Sequence, residues 1–125
     1  MEKIYIEVKD MELFVLGKYR TLVVKIYGEL DHHKADSVRK AIDREIKRCG
    51  VINIAFDFSN VTFMDSSGIG VIMGRYKIAK SLGGSTVIYG ANESVQRIID
   101  MSGITNIVTV SDSLENGLKE AAANV

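Results

Sequence analysis

The chain of 125 residues predicts an α/β fold: a mainly parallel mixed sheet with an antiparallel N-terminal edge and about four flanking helices. Three observations carry this. Extended runs and helix-period segments alternate from Leu22 onward, in the order β-β-β-α-β-α-β-α-β-α. A hydrophobic fraction of 46% beside 26% charged residues can fill a core at this length. Proline is absent, so glycines and capping residues mark the element ends. The length suits a single domain over residues 1–125, and no internal repeat, low-complexity stretch or linker divides it.

Ile4, Ile6 and Val8 alternate with Tyr5 and Glu7 as an N-terminal edge strand. Leu13–Leu16 and Leu22–Tyr27 are two further strands, joined by Gly17-Lys18-Tyr19-Arg20 as a hairpin connection, and Gly28 then ends the pattern. Beyond Asp31 the period changes: Ala35, Val38, Ala41, Ile42 and Ile46 recur at helical spacing, with Arg39, Lys40, Arg44 and Lys47 opposite. Asp31 is the expected N-cap and Gly50 the left-handed stop, while Asp36, Asp43 and Glu45 read as a solvated face. Val51–Phe58 is the next strand, with Ile52, Ile54, Phe56 and Phe58 on one face.

After a loop, Ile69, Ile72, Met73, Tyr76 and Leu82 mark a second helix that stops at Gly83-Gly84. Thr86–Tyr89 is a short strand, and Asn92 caps a third helix that carries Val95, Ile98 and Ile99 and ends near Gly103. Ile107–Val110 forms the last strand, and Ser111 or Asp112 caps a terminal helix holding Leu114, Leu118 and Ala121.

Composition narrows the function classes. Sixteen basic and 16 acidic residues leave a net charge of +0, with no basic stripe to supply phosphate contacts, so nucleic acid is not an expected partner. Apolar runs such as Leu13-Phe14-Val15-Leu16 fall far short of the ~20 residues that span a bilayer. No apolar signal region follows Met1-Glu2-Lys3, and the expected location is the cytoplasm, away from membranes. Cys49 stands alone, which excludes an internal disulfide or a multi-cysteine zinc site, and it has no acid–base companion.

Phe63-Met64-Asp65-Ser66-Ser67-Gly68-Ile69-Gly70 is the most informative segment, lying between a hydrophobic strand and an amphipathic helix. The carboxyl end of a strand is where open α/β sheets place their sites. One reading is an N-terminal cap, in which Asp and Ser oxygens take free backbone N–H groups. An exposed hydroxyl there would also accept a phosphate, since free N–H groups and the helix dipole favour an anion. The alternative is a small nucleotide-binding or hydrolytic α/β domain using the 65–70 loop. Gly68-x-Gly70 falls ten positions beyond Phe58 rather than directly after the strand, and the Gly-x-Ser-x-Gly elbow and Gly-Lys-Ser/Thr triplet are both missing.

Gly28-Glu29-Leu30-Asp31-His32-His33 is the second cluster. Adjacent histidines do not share a helix face and nothing completes a metal shell, so a strand-to-helix turn capped by Asp31 is expected, without metal.

These two segments, the first continuing through Val71-Ile72-Met73-Gly74-Arg75-Tyr76-Lys77 and followed by Asp100-Met101-Ser102-Gly103, closely resemble the anti-sigma factor antagonists of the STAS family. The sporulation-type antagonists of the anti-sigma F factor are the most similar in look. Order and spacing agree from about Leu22 to Val110, while the stretch through Leu16 is longer and the tail after Ser111 agrees only in helical character.

The resemblance implies a switch in transcription regulation, not an enzyme and without cofactor. Unphosphorylated, such a protein binds an anti-sigma factor that is also a serine kinase and so releases the sigma factor. The kinase, using ATP, phosphorylates the antagonist and frees itself, and a serine phosphatase resets the cycle. The matching phosphoacceptor is Ser66, and the matching partner-binding residues are Asp31, His32, Asp65, Ser67, Gly68, Ile69 and Arg75. A monomer when free is expected. A related STAS module serving a stress-response or transporter regulator would share the fold and differ in partner.

Overall fold

The computed structural model describes residues 5–8 and 10–123. One six-stranded sheet has the order β1-β2-β3-β4-β5-β6. Strands β1 (Tyr5–Val8), β2 (Met11–Leu16) and β3 (Thr21–Leu30) form an antiparallel meander. From β3 the pairing is parallel, through β4 (Asn53–Met64), β5 (Thr86–Tyr89) and β6 (Thr109–Ser111). Helices α1 (His32–Cys49), α2 (Ser66–Ser81) and α3 (Glu93–Ser102) connect successive parallel strands, and α4 (Leu114–Ala123) follows β6. The mixed sheet, its antiparallel edge and the four helices match the sequence expectation; Ile4 lies outside the described residues.

Each crossover advances the sheet by one strand in the same direction, which places its three helices on one face when the hand is constant. Val38 and Ile42 of α1, Val71 and Ile72 of α2, and Val95 and Ile99 of α3 share a core with Val24, Ile26, Ile54, Phe56, Phe58 and Ile88. The period of two along a strand sends Val23, Ala55 and Val87 to the other side, where Ala121 of α4 covers them. Central strands buried on both faces read as nearly continuous apolar runs for this reason.

Several boundaries differ from the sequence expectation, each for a local reason. Gly28 does not end β3. It adopts φ +80 where the pairing register shifts, so the strand bulges there and continues to Leu30. The fourth strand is not Val51–Phe58: it starts at Asn53 and runs on to Met64, because Val61 and Met64 pair with Gly28 and Leu30 of the lengthened β3. Leu82 is exposed and ends α2; the buried face is Gly68, Val71, Ile72, Arg75 and Ala79. The last strand is Thr109–Ser111, preceded by a 3-10 turn at Ile104–Asn106, and Ser113 rather than Ser111 or Asp112 caps α4, its Oγ accepting from Asn116 N at 3.1 Å. Of the supposedly solvated acids only Asp36 fits; Glu45 is buried and Asp43 turns toward α2.

Candidate functional site

The parallel register of β3 and β4 ends with Leu30 opposite Met64. One residue later each strand gives way to a helix, so Asp31 and Asp65 occupy equivalent places side by side. Their backbones are nearly identical, φ −116 and ψ −175 at Asp31, φ −115 and ψ −170 at Asp65, the extended geometry of an N-cap. Asp31 Oδ1 accepts from His33 N at 3.0 Å and from Lys34 N at 3.1 Å. Asp65 does more. Its Oδ1 accepts from Ser67 N at 2.8 Å, and its Oδ2 reaches across to accept from His32 N at 3.2 Å. Partial burial pushes the Asp65 carboxyl upward, yet the N–H groups of Ser67, His32 and Gly68 outweigh it and hold the group below its ordinary value.

Ser66 is the first residue of α2 and is exposed. Ser67 is half-buried, and its backbone N–H donates to Asp65 Oδ1. Gly68 is buried: a Cβ there would stand 2.4 Å from Met64 Cγ and 3.1 Å from the Leu30 carbonyl oxygen. Its lack of a side chain brings the first turn of α2 down onto the strand ends. The first glycine of the 65–70 loop is therefore used in packing and not turned toward a ligand, although it follows the end of β4 far more closely than expected. Ile69 packs half-buried against the core.

A groove of about 320 Å³ runs between the two helix starts, lined by His32, Ala35, Asp36, Arg39, Ser67 and Gly70. On the other side of Asp31, Lys34 Nζ donates to the Tyr27 carbonyl at 2.8 Å and pairs with Asp10 at 3.5 Å. Both of the Asp31 contacts go to backbone N–H groups, and His32 and His33 are exposed with ring centroids 5.6 Å apart.

The structure thus brings Asp31, His32, Asp65, Ser66, Ser67 and Gly68 together, with Ile69 just below. Arg75 is placed differently. It is buried between α1 and α2, its Nε 3.0 Å from Asp43 Oδ1 without hydrogen-bond alignment, so its guanidinium is not presented at the tip. Burial lowers its basicity and Asp43 only partly restores it. Arg39 and Phe63 also stand at this end of the sheet, and their nearness to the tip is not legible in the residue order. Arg39 follows His32 by two helical turns, a spacing readable in the sequence, but the helix it faces is not; Phe63 remains 48% exposed immediately before the tip.

Cys49 ends α1 half-buried with Sγ 3.6 Å from Glu45 Oε1, and burial first, then Glu45, push its thiol upward, which suits an unreactive cysteine. No helix among the described residues is long and apolar enough to cross a membrane.

This fold defines a small α/β domain with two co-capped helix starts side by side at one end of its sheet. The STAS-domain family model matches residues 14–117, and the chain belongs to that family. It is 43% identical over 99 residues to the anti-sigma F factor antagonist of Paenibacillus polymyxa, covering 79% of this chain and 85% of that one. It is also 30% identical to the anti-sigma-B factor antagonist of Bacillus subtilis, over 77% of this chain and 86% of the relative. The Bacillus cell fate determinant SpoIIAA, solved in its phosphorylated form, shares the fold with a TM-score of 0.63 at 24% identity, over 95% of this chain and 98% of the neighbour.

Proposed function

We propose that this chain is an anti-sigma factor antagonist of the sporulation type. Unphosphorylated, it docks its co-capped tip on an anti-sigma factor that is also a serine kinase, and the sigma factor is released. The kinase transfers the terminal phosphoryl group of ATP to Ser66 Oγ, which loses its proton, and the complex parts. A serine phosphatase hydrolyses the phosphoester and restores the hydroxyl. The protein works in the cytoplasm, is a monomer when free, and is a regulator rather than an enzyme.

One observation carries the reading: of two adjacent serines at the start of α2, Ser66 is exposed while Ser67 is half-buried beside Asp65, to which its N–H donates. Further support comes from the relatives, which bear the names of anti-sigma factor antagonists, and from the fold neighbour solved with phosphate attached.

The first-turn donors change the electrostatic picture. Ser67 N already serves Asp65 Oδ1 and Gly68 N serves the Asp65 carbonyl, so a phosphate on Ser66 finds fewer free N–H groups than a bare helix start would offer. Its charge of about −1.5 to −2 instead meets the Asp65 carboxylate. Phosphorylation then blocks docking by like charge and desolvation at the tip, with the sheet unchanged.

Incubation with an anti-sigma kinase and ATP, followed by peptide mapping, tests this. Phosphate on Ser66 and none in Ser66→Ala is the expected result, with Ser66→Ala still binding the kinase. Full labelling of Ser66→Ala would sink the assignment. In the phosphorylated chain, amide shifts should stay within the tip, His32 and Ser67 foremost; changes across the whole sheet would contradict the local mechanism.

A further inference from the structure

The even charge balance of the chain conceals a local excess. Six of the 16 basic residues lie on α1 (Lys34, Arg39, Lys40, Arg44, Lys47 and Arg48) against three acids, so this helix carries +3 and the remainder −3. Every acid on α1 is already committed. Asp36 takes Arg39 and Lys40, Glu45 takes Arg48, and Asp43 is turned inward to Arg75. Arg44 and Lys47 are exposed and form no ion pair or hydrogen bond with the described residues.

Arg44 also stands one turn from Lys40, Lys47 and Arg48, a like-charge spacing that destabilises a helix. The helix dipole accounts for cations in the last turn, Lys47 and Arg48, but not for Arg44.

We propose that the outer face of α1, centred on Arg44 and Lys47, is a second docking patch that receives an acidic surface of the anti-sigma partner. This rests on the antagonist reading above. The patch shares its helix with the tip, where His32 and Arg39 line the groove beside Ser67. From His32 to Arg44 is roughly 18 Å along the helix. An interface of about 800 Å² per partner is roughly 30 Å across and spans both.

Other anionic occupants fit less well. The apolar side of α1, Val38, Ile42 and Ile46 included, is spent on the core, so nothing is left to insert into a lipid surface. Two unneutralised cations on a chain of net charge +0 would release few counterions from a duplex. A facing acidic protein surface gives steering together with orientation.

The experiment compares the association rates of the wild-type chain, Arg44→Glu/Lys47→Glu and Arg44→Gln/Lys47→Gln with the anti-sigma factor of the same genome. Rates are measured at about 50 mM and about 300 mM salt, between which the screening length shortens. The wild-type rate should fall severalfold at high salt. At low salt the glutamate variant should associate roughly tenfold more slowly, with its salt dependence flattened, and the glutamine variant should fall between. All three chains should be phosphorylated alike at saturating kinase, which checks that the tip is intact. Equal rates and equal salt slopes for the three would overturn this inference alone. No binding by any chain would overturn the antagonist reading with it. Arginine- and lysine-dependent binding to phosphatidylserine vesicles or to a DNA duplex, with no such dependence for the anti-sigma factor, would also overturn it.

Discussion

Asp65 Oδ2 accepts a hydrogen bond from the backbone N–H of His32, 33 residues away in sequence, at 3.2 Å. The carboxylate that caps α2 therefore also holds the first turn of α1, and the two helix starts form one unit. Replacing Asp65 with Ala should speed hydrogen exchange at the His32 and Ser67 amides together. Exchange that rises only at Ser67 would show that the cross-link is idle.

Acid should loosen the same unit. Asp65 has its folded-state pKa below the ordinary 3.8, so its contribution is complete above that value and is lost as pH falls through the folded pKa. Asp36, held low by Lys40, and Asp112, held low by Asn116, act in the same sense. An NMR titration below pH 3.8 should move the His32 and Ser67 amides in step, and Asp65→Asn should remove that shared transition.

Gly68 tolerates no side chain without movement. Gly68→Ala drives a Cβ against Met64, which is fully buried, and toward the Leu30 carbonyl oxygen. Overpacking of this kind costs about 1–3 kcal/mol, to be read from urea unfolding. Gly70→Ala, whose Cβ would meet open space within α2, should instead stabilise by about 0.5–1 kcal/mol.

The Arg75–Asp43 pair should be asymmetric. Asp43 keeps 36% of its side chain in solvent, whereas Arg75 keeps 7%. Asp43→Ala strands a buried guanidinium and should cost about 1–3 kcal/mol. Arg75→Met leaves a carboxylate with one buried oxygen but 36% of its side chain in solvent, and should cost less than Asp43→Ala. Equilibrium unfolding of both variants gives the order, and the reverse order would contradict the burial asymmetry.

Ser67 should be dispensable as an acceptor. Ser67→Ala removes a half-buried hydroxyl and leaves the exposed Ser66 in place, so phosphate should still arrive on Ser66 at a comparable rate, as phosphopeptide mapping would show.

Apolar periodicity, the caps Asp31 and Asn92, and the Asp-Ser-Ser-Gly segment were legible from residue order because each depends on neighbours within a turn or two along the chain. Strand alternation with helices was enough to define the fold class and the end of the sheet where the tip stands. Other features come from residues brought together only by folding. The bulge at Gly28 lets β3 and β4 run on to Leu30 and Met64, and that shared register sets Asp65 beside His32. Packing of α2 on α1 draws Asp43 inward to Arg75 and leaves Arg44 and Lys47 without a countercharge. Burial, cross-helix bonds and the choice between two adjacent hydroxyls are properties of surfaces that meet, and no periodicity along a single chain encodes which surfaces those are.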